Sequence, residues 1–315
     1  MNKNAKIYVA GHTGLVGSAI YRKLKAQGYT NVLAFEHHEF DLADTNQTRK
    51  LFDKYKPEYV FLAAAFAGGI KRAIDSPSQM LVENMLIEAN VIKRAYLSKV
   101  KKLIFVASSC IYPVKGTQPY VEAQIGTGKT DENWGYAIAK IAGIELCHAY
   151  HRQYGKEFMS VVPCYLYGPN DDFQGKHNHV IPALIGKCVA ADEKDTIELL
   201  GDGKATREFM YSEDFAEACI MIMESINYDD IQGVVNVGTG YQVRIDSLFN
   251  LIKRLVGKPG LKCNWSGNIA GVPAKLMSSQ RLSEVLNWQP KTSLQEGIKR
   301  SYDWYCTHCK SGEGG

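Results

Sequence analysis

Short apolar runs alternate with longer amphipathic stretches through the first half of the chain. The runs, rich in β-branched and aromatic residues, predict β-strands over residues 7–10, 32–35, 59–63, 103–107 and 159–163. The stretches between them carry hydrophobic residues at helical spacing and predict α-helices over residues 16–27, 47–55, 79–97 and 136–154. Because such alternation builds a parallel sheet with helices on both faces, we expect an α/β fold with a Rossmann-type doubly wound parallel sheet over residues 1–165.

The alternation ends near Gly168 and Pro169. Turns rich in Gly, Asn and Asp follow, with helices predicted over residues 212–225, 245–256 and 294–305 and a strand over residues 234–237. We therefore expect residues 1–165 to form an NAD(P)-binding domain, to which segments near 212–240 return. Residues 166–315 are expected to form mainly a smaller C-terminal substrate-binding domain.

The composition of the 315 residues, 45% hydrophobic and 22% charged, is that of an ordinary globular protein. The net charge is +4 without a run of like charges, so neither nucleic acid nor a membrane is expected as a partner, whereas an anionic small molecule suits it. No apolar signal segment or spanning stretch is found, which predicts a cytoplasmic location. The eight cysteines lie mostly in apolar segments, as reduced thiols do, and Cys306 and Cys309 lack a second ligand pair, so no metal is expected.

A glycine-rich loop joins the first predicted strand to the first predicted helix. It reads Gly11-His-Thr-Gly14-Leu-Val-Gly17, and its glycines permit a tight turn and close approach of the backbone to a pyrophosphate at the helix N-terminus. This placement predicts dinucleotide binding. Asp41 and Leu42 after the second strand suit the adenine. Small residues after the third strand suit close approach of a cofactor, although they also serve plain strand-to-helix packing; they are Ala63, Ala64 and Ala65.

Tyr136 and Lys140 lie four residues apart on a predicted helix, downstream of Ser108. Positions i and i+4 share a helix face, so the Lys140 ammonium is expected to lie near the Tyr136 phenol and lower its pKa from about 10. The phenol could then exchange a proton with a substrate oxygen that Ser108 also contacts, which indicates carbonyl chemistry with a nicotinamide cofactor. Taken alone, such a pair also arises by chance in helices, and a serine after a strand also caps a turn.

Several segments together resemble one family. They are Gly11 to Gly17, Leu62-Ala-Ala-Ala65, Ser108-Ser-Cys-Ile-Tyr-Pro113, Tyr136-Ala-Ile-Ala-Lys-Ile-Ala-Gly143, Leu166-Tyr-Gly-Pro169, His179-Val-Ile-Pro182 and Arg207-Glu-Phe209. They resemble the extended short-chain dehydrogenase/reductases and, more closely, the GDP-L-fucose synthase family within them. The resemblance covers nearly the whole chain. It implies 3,5-epimerisation and NADP(H)-dependent 4-reduction of GDP-4-keto-6-deoxy-D-mannose to GDP-L-fucose, with residues 166–315 mainly binding the nucleotide sugar.

The resemblance also implies which side chains act. Cys110 and His179 would exchange the protons on C3 and C5 that the C4 ketone acidifies, and a thiol and an imidazole suit this task because both titrate around neutrality. Tyr136 would protonate the C4 oxygen during hydride transfer, Lys140 would tune Tyr136 and hold the nicotinamide ribose, and Ser108 would position the oxygen. Without the resemblance, the sequence favours a packed core cysteine at 110 and a histidine satisfied by its neighbours at 179.

Two sets of binding residues follow from the resemblance. The cofactor set is Gly11, Thr13, Gly14, Leu15, Val16, Gly17, Glu36, Asp41, Leu42, Ala63, Ala64, Ala65, Tyr136, Lys140, Pro163, Leu166 and His179. The substrate set is Ser108, Tyr165, Lys187, Leu200 and Arg207. Arg207 would clamp the diphosphate, unless it pairs instead with Glu208 or Asp214.

Some positions depart from the family's pattern. Thr13 and Glu36 stand where arginines usually contact the 2′-phosphate of NADP, and a carboxylate there suits the 2′-hydroxyl of NAD, so NAD(H) is an alternative to the expected NADP(H). Tyr165, Lys187 and Leu200 stand where the family has Asn, Arg and Trp. Two alternatives therefore stay open: an epimerase/reductase of a related 4-keto nucleotide sugar, and a non-catalytic dinucleotide-binding sensor.

Two predicted helices concern the oligomeric state. Family members commonly pair in a four-helix interface through the helices that correspond here to residues 79–97 and 136–154, so the resemblance implies a homodimer. The apolar positions on these helices could equally face the sheet.

Overall fold

A parallel sheet of six strands forms the centre of the computed structural model, which describes residues 1–130, 134–176, 178–267 and 272–309. The strands, in chain order, are β1 (Ile7–Ala10), β2 (Val32–Leu33), β3 (Tyr59–Leu62), β4 (Lys102–Val106), β5 (Glu157–Pro163), β6 (Tyr165–Tyr167), β7 (Thr196–Leu199), β8 (Thr206–Arg207), β9 (Phe209–Tyr211), β10 (Val234–Val237), β11 (Val243–Arg244), β12 (Lys262–Trp265) and β13 (Ala274–Lys275). The central sheet has the order β10-β5-β4-β3-β1-β2, and every neighbouring pair in it is parallel. The expected α/β class with a doubly wound sheet is therefore confirmed.

Helices cover this sheet in two groups, because α1 packs against α7 whereas α4 packs against α2 and α5. The helices are α1 (Leu15–Ala26), α2 (Thr45–Tyr55), α3 (Ile70–Asp75), α4 (Pro77–Leu97), α5 (Trp134–Tyr154), α6 (Val180–Ala190), α7 (Ser212–Ser225), α8 (Ile245–Leu255), α9 (Gln280–Val285) and α10 (Leu294–His308). None of the described helices is long and apolar enough to cross a lipid bilayer.

Local side-chain contacts explain where the elements differ from the predicted ones. The helix predicted to begin at residue 47 begins at Thr45, because the Asp44 carboxylate caps it by accepting hydrogen bonds from two backbone amides, each at 2.8 Å. The second strand is shorter than predicted. Beyond it the chain leaves the sheet, and the Phe35 ring packs on Phe40 and Tyr55 with centroids 5.3 and 4.3 Å away. The sequence pattern does not predict the short helix α3.

The order of the sheet fixes where a ligand can bind. The chain leaves β1 toward β2 on one side and then crosses to β3 on the other, so the switch point lies between β1 and β3. At such a point the loops after the two strands separate and leave a crevice at the carboxyl edge of the sheet. The loop beginning at Gly11 and the segment beginning at Ala63 border this crevice, and Ser108 follows the next strand, β4.

A second hydrophobic cluster lies apart from the sheet. Its buried residues include Ile185 on α6, Leu248 on α8 and Ile298 on α10. Small sheets of the order β11-β8-β13 and β12-β7 accompany these helices. By contrast, β10 and α7 bury residues such as Val235 and Phe215 in the cluster around the central sheet. Val243 of β11 packs against the second cluster and pairs with Arg207 of β8, which links the cluster to the small sheet that carries Arg207 and Lys275.

Candidate active site

The loop after β1 forms a backbone cradle that a side chain would fill. Gly11 has φ +82°, in the left-handed region that favours glycine. A Cβ at Gly17 would stand 2.1 Å from the Gly11 carbonyl oxygen, and one at Gly11 would stand 2.7 Å from the Ala64 Cα. The backbones therefore meet directly below the N-terminus of α1, where free amides and the helix dipole favour a phosphate. These residues fit the pyrophosphate of a dinucleotide.

The remaining cofactor candidates lie at the ends of the same parallel strands. Ala63, Ala64 and Ala65 follow β3, Pro163 ends β5, and Leu166 lies on β6 directly after it. Thr13 is exposed in the glycine loop, and Leu15 and Val16 begin α1. The structure thus places these residues along the carboxyl edge of the sheet.

The segment after β2 is acidic and exposed. The Glu36 carboxylate lies 3.5 Å from Nδ1 of His38, and the Asp41 carboxylate lies 3.8 Å from Nδ1 of His37. Leu42 is buried at the start of the next turn. Where the sequence lacks the family's arginines, the surface therefore offers the carboxylates of Glu36, Glu39 and Asp41 with two exposed imidazoles beside them.

Ser108 and Cys110 occupy a turn directly after β4. The backbone at Ser108 is extended, and its hydroxyl oxygen accepts a 3.4 Å hydrogen bond from the Cys110 amide, which caps a short 3₁₀ turn over Ser109–Ile111. The capping role that the sequence left open is thus real. It uses only an acceptor position of the hydroxyl, so the Ser108 O–H can still donate to another oxygen.

Lys140 lies beneath Tyr136 and is almost completely buried. Its ammonium nitrogen lies 5.4 Å from the centroid of the Tyr136 ring and donates a 3.2 Å hydrogen bond to the carbonyl oxygen of Val106. It also forms a 3.1 Å ion pair with the carboxylate of Glu88 on α4, and the exposed fractions of the two side chains are 2% and 3%. The expected proximity of the lysine to the phenol is present, but the ammonium has a counter-ion of its own.

The pKa of Tyr136 is shifted upward, whereas the sequence predicts a downward shift. Burial raises the pKa of the phenol well above its usual value of about 10, and the negative charges of Cys110 and Glu88 raise it further. The prediction that Lys140 lowers this pKa is therefore wrong for this structure. Burial is the largest cause, and the charges of Cys110 and Glu88 act in the same direction, so the phenol holds its proton more strongly than a free tyrosine does.

His179 stands at the N-terminal boundary of α6 and faces a buried carboxylate. Its Nδ1 lies 3.5 Å from Oδ1 of Asp171, whose side chain is 5% exposed. Burial lowers the pKa of the imidazole, but hydrogen bonding and attraction to Asp171, together with the charge of Asp172, outweigh it and leave the pKa raised. The His179 side chain is itself 42% exposed, and the raised pKa favours its protonated form, which suits an acid.

Arg207 and Lys275 form a pair of cations on neighbouring strands. They are register partners across the parallel pair β8–β13. Both approach the Tyr165 ring, with the Arg207 guanidinium carbon 5.8 Å and the Lys275 ammonium 5.9 Å from its centroid. Two cationic side chains beside one aromatic ring suit an anionic group such as a diphosphate.

The alternative partners of Arg207 are used elsewhere. The buried Glu208 carboxylate accepts hydrogen bonds from the amides of Thr239, Gly240 and Met277 at 2.6, 2.8 and 3.0 Å. Asp214 accepts from the amide and the hydroxyl of Thr292 at 2.8 and 3.1 Å. Arg207 instead donates to backbone carbonyl oxygens, which leaves its positive charge without a carboxylate in these contacts.

The other two substrate candidates lie near β7. The Lys187 ammonium donates a 2.6 Å hydrogen bond to the Glu198 carbonyl oxygen and so ties α6 to that strand. Leu200 is exposed directly after the strand. Neither position carries the aromatic or guanidinium group of the family's pattern.

Sequence reasoning missed four residues that the structure brings to the site. Lys275, Asp171 and Glu88 are described above, and Asn84 is completely buried on α4. The Asn84 side chain accepts from the Phe66 amide at 3.0 Å and donates to its carbonyl oxygen at 2.9 Å, which fixes the loop after β3. A usable signal exists for two of them, because Asn84 and Glu88 are polar residues one helical turn apart on the buried face of a predicted helix.

Comparison with known proteins shows the family and the fold of the chain. The sequence model of the NAD dependent epimerase/dehydratase family matches residues 7–238. "GDP-L-fucose synthase 1" of Arabidopsis thaliana is 44% identical over 308 residues, which cover 96% of this chain and 94% of that protein. A GDP-6-OMe-4-keto-L-xylo-heptose reductase from C. jejuni has a TM-score of 0.93 at 30% identity, covering 98% and 99% of the two chains. A GDP-L-fucose synthetase from Naegleria fowleri bound to NADP has a TM-score of 0.88 at 26% identity, covering 99% and 95%.

Proposed function

The chain belongs to the NAD dependent epimerase/dehydratase family, and we propose that it is a GDP-L-fucose synthase. It converts GDP-4-keto-6-deoxy-D-mannose to GDP-L-fucose by epimerisation at C3 and C5 and reduction at C4. One observation carries the proposal: the Tyr136 ring lies beside the buried ammonium of Lys140 and near Cys110. These side chains lie at the same edge of the sheet as the glycine cradle. The similarity to the Arabidopsis thaliana GDP-L-fucose synthase over nearly the full length supports the choice of substrate.

NADP(H) is the cofactor of the proposed reaction. When bound, it supplies the hydride that reduces C4. The backbone of the loop from Gly11 to Gly17 would hold the pyrophosphate, the alanines after β3 would border the dinucleotide, and Lys140 would contact the nicotinamide ribose. The NADP-bound relative supports this choice, whereas the exposed Glu36 carboxylate is the feature that favours NADH as the alternative to test.

Epimerisation needs one group that removes a proton and one that returns a proton from the opposite face. The C4 ketone acidifies the protons on C3 and C5 by stabilising the enolate that each deprotonation leaves. Cys110 and His179 are assigned to this exchange. The raised pKa of His179 beside Asp171 suits the group that returns the proton. Cys110 is therefore assigned as the base that removes it.

Reduction then requires a proton on the C4 oxygen as the carbon accepts hydride. Tyr136 donates this proton, and its raised pKa keeps the phenol protonated until charge develops on the substrate oxygen. Ser108 donates a hydrogen bond to the same oxygen and fixes its direction. The products are a C4 hydroxyl and a Tyr136 phenolate, which solvent reprotonates.

The nucleotide diphosphate binds between the two domains proposed for residues 1–165 and 166–315. Arg207 and Lys275 supply adjacent positive charges, and Tyr165 supplies an aromatic face beside them. Lys187 and Leu200 are assigned to the outer part of the same site.

A homodimer and a cytoplasmic location complete the proposal. α4 and α5 pack against each other, and α4 leaves Val82, Met85 and Leu86 exposed while α5 leaves Ile138 exposed. These side chains point away from the sheet, which supports pairing of the two helices with the same helices of a second copy. Light scattering that gives the mass of a single chain at micromolar concentration would contradict it.

The decisive experiment is incubation with GDP-4-keto-6-deoxy-D-mannose and each reduced cofactor in turn, followed by NMR of the product. We expect oxidation of NADPH and formation of GDP-L-fucose. A reduced product that keeps the manno configuration would reveal a reductase without epimerisation. Cofactor that binds but is not oxidised with any 4-keto-6-deoxy nucleotide sugar would instead favour a non-catalytic sensor and overturn the proposal.

A further inference from the structure

Glu88 is a buried carboxylate that neither epimerisation nor reduction uses directly. It lies near the middle of α4, with its side chain 3% exposed and 3.1 Å from the ammonium of Lys140. Removing both charges from water has a desolvation cost, which the mutual attraction has to offset. A buried ion pair is therefore weak evidence for stability, and its position beneath a reacting group needs another explanation.

The chain also leaves a gap for this carboxylate at Gly143. A Cβ at that position of α5 would stand 2.7 Å from Oε2 of Glu88 and 2.6 Å from the Phe105 ring. Any residue other than glycine would displace the carboxylate or the ring. Glu88, Lys140 and Gly143 thus belong to one arrangement, in which α5 is shaped to admit a charge from α4.

We infer that Glu88 is a positioning residue for ketone reduction: it is the counter-ion that keeps Lys140 charged and holds its ammonium beneath Tyr136. The inference rests on the proposed function, because Tyr136 acts there as the proton donor to the substrate oxygen. The inference adds Glu88 on α4 to Tyr136 and Lys140 on α5 as residues that serve the reduction.

The other contacts that Lys140 makes with the described residues do not replace this carboxylate. They are the Val106 carbonyl oxygen at 3.2 Å and two aromatic rings, those of Phe105 and Tyr136, with centroids at 4.6 and 5.4 Å. These groups offer partial charges only. A buried ammonium without a counter-ion either gives up its proton more readily or moves toward water.

Glu88 also acts on the phenol itself. Its charge is one of the causes that raise the pKa of Tyr136, after burial and the charge of Cys110, and it also raises the pKa of the neighbouring Cys147. Burial in turn raises the pKa of Glu88, which attraction to Lys140 opposes. Loss of Glu88 therefore removes one of the charges that raise the pKa of Tyr136, so the phenol would lose its proton at lower pH.

The test compares Glu88→Gln with the wild-type protein in two assays. The first is the pH dependence of hydride transfer to the already epimerised ketone, which separates reduction from proton exchange at C3 and C5. We expect the alkaline limb of this profile to move down by about one pH unit, with the rate on the neutral plateau reduced less than tenfold. The second is NADPH binding without sugar, which should weaken with rising pH in the variant at values where the wild type is unaffected.

Two further variants separate charge from structure. Glu83→Gln removes a half-buried carboxylate from the same helix and is the matched control, so its alkaline limb should stay at the wild-type pH. Glu88→Asp keeps the charge on a shorter side chain. Its limb should remain within about 0.3 pH units of the wild type, although its rate falls because the ammonium is drawn away from Tyr136.

Each outcome bears on the inference separately from the proposed function. The counter-ion role would be overturned if the alkaline limbs of the pH–rate profiles of Glu88→Gln and the wild type coincided and the two proteins had equal melting temperatures. If Glu88→Gln does not fold, Glu88→Asp becomes the test of the counter-ion role. A shift of its alkaline limb by a full pH unit, although the charge is retained, would also overturn that role. If the wild type reduces no keto sugar, the proposed function fails, and the pH dependence of NADPH binding still tests the ion pair.

Discussion

The glycine cradle makes a quantitative prediction at Gly17. In Gly17→Ala the new Cβ would stand 2.1 Å from the Gly11 carbonyl oxygen, so the two backbones must separate by about 1.3 Å to reach the 3.4 Å at which ordinary van der Waals contact begins. Backbone atoms cannot rotate away as a side chain does. Overpacking of this kind costs about 1–3 kcal/mol, and we expect the free energy of unfolding of the cofactor-free protein to fall by about that amount.

The same displacement should weaken cofactor binding. A shift of more than one ångström moves at least one amide of the loop out of hydrogen-bonding distance of the pyrophosphate. A hydrogen bond to a charged group contributes about 1.5–3 kcal/mol, which corresponds to a Kd for NADPH raised about 10- to 150-fold. Fluorescence titration with NADPH measures this change, and urea denaturation measures the loss of stability.

Gly14→Ala is the matched control in the same loop. The nearest atom to its new Cβ is the Gly11 carbonyl oxygen at 3.7 Å, an ordinary contact, so the stability of the cofactor-free protein should change by less than about 0.5 kcal/mol. Equal unfolding midpoints for Gly17→Ala and the wild type, together with NADPH affinities within twofold, would refute the reasoning about the cradle.

The remaining predictions concern the reacting side chains. Tyr136→Phe should lower the rate of ketone reduction at least 100-fold and change the Kd for NADPH less than threefold. A rate comparable to that of the wild type would show that another group donates the proton. Cys110→Ser or His179→Gln should slow the entry of solvent deuterium at C3 and C5 more than hydride transfer to the epimerised ketone, as followed by NMR; equal loss of both steps counts against a dedicated role in epimerisation. Asp171→Asn removes the charge that raises the pKa of His179 and leaves burial, which lowers it, so the alkaline limb of deuterium exchange should move to lower pH. An unchanged limb would exclude His179 as the titrating acid.

Most of the sheet could be predicted from sequence because each strand is a short apolar run between clear helical patterns. The strand predicted over residues 32–35 is too long. Phe35 is of a residue type that is common in strands, but its ring packs against Phe40 and Tyr55 outside the sheet. Contacts of this kind join residues from different elements. Apolar character alone does not distinguish a ring in a sheet from a ring beside it.

The candidate site was predictable where one segment holds the whole feature. The glycine loop and the spacing of Tyr136 and Lys140 are local patterns, and the structure places both at the sheet edge. The sign of the Tyr136 pKa shift was not predictable, because it depends on burial and on Glu88, which is 48 residues upstream and faces Lys140 only after α4 packs on α5. Lys275 likewise joins Arg207 only through the pairing of β8 with β13.

Helix α4 presents two different surfaces along Pro77–Leu97, a buried one that carries Asn84 and Glu88 and an exposed one. Asn84 holds the loop after β3, Glu88 reaches Lys140, and Val82 and Met85 face outward. Each residue of an α-helix is rotated by about 100° from the one before it, so inserting or deleting one residue would turn every later side chain to a different surface. A substitution changes one of these contacts at a time, whereas an insertion or deletion before Asn84 would disturb the contacts of Asn84 and Glu88 together, so we expect it to be tolerated less well than a substitution at an exposed position.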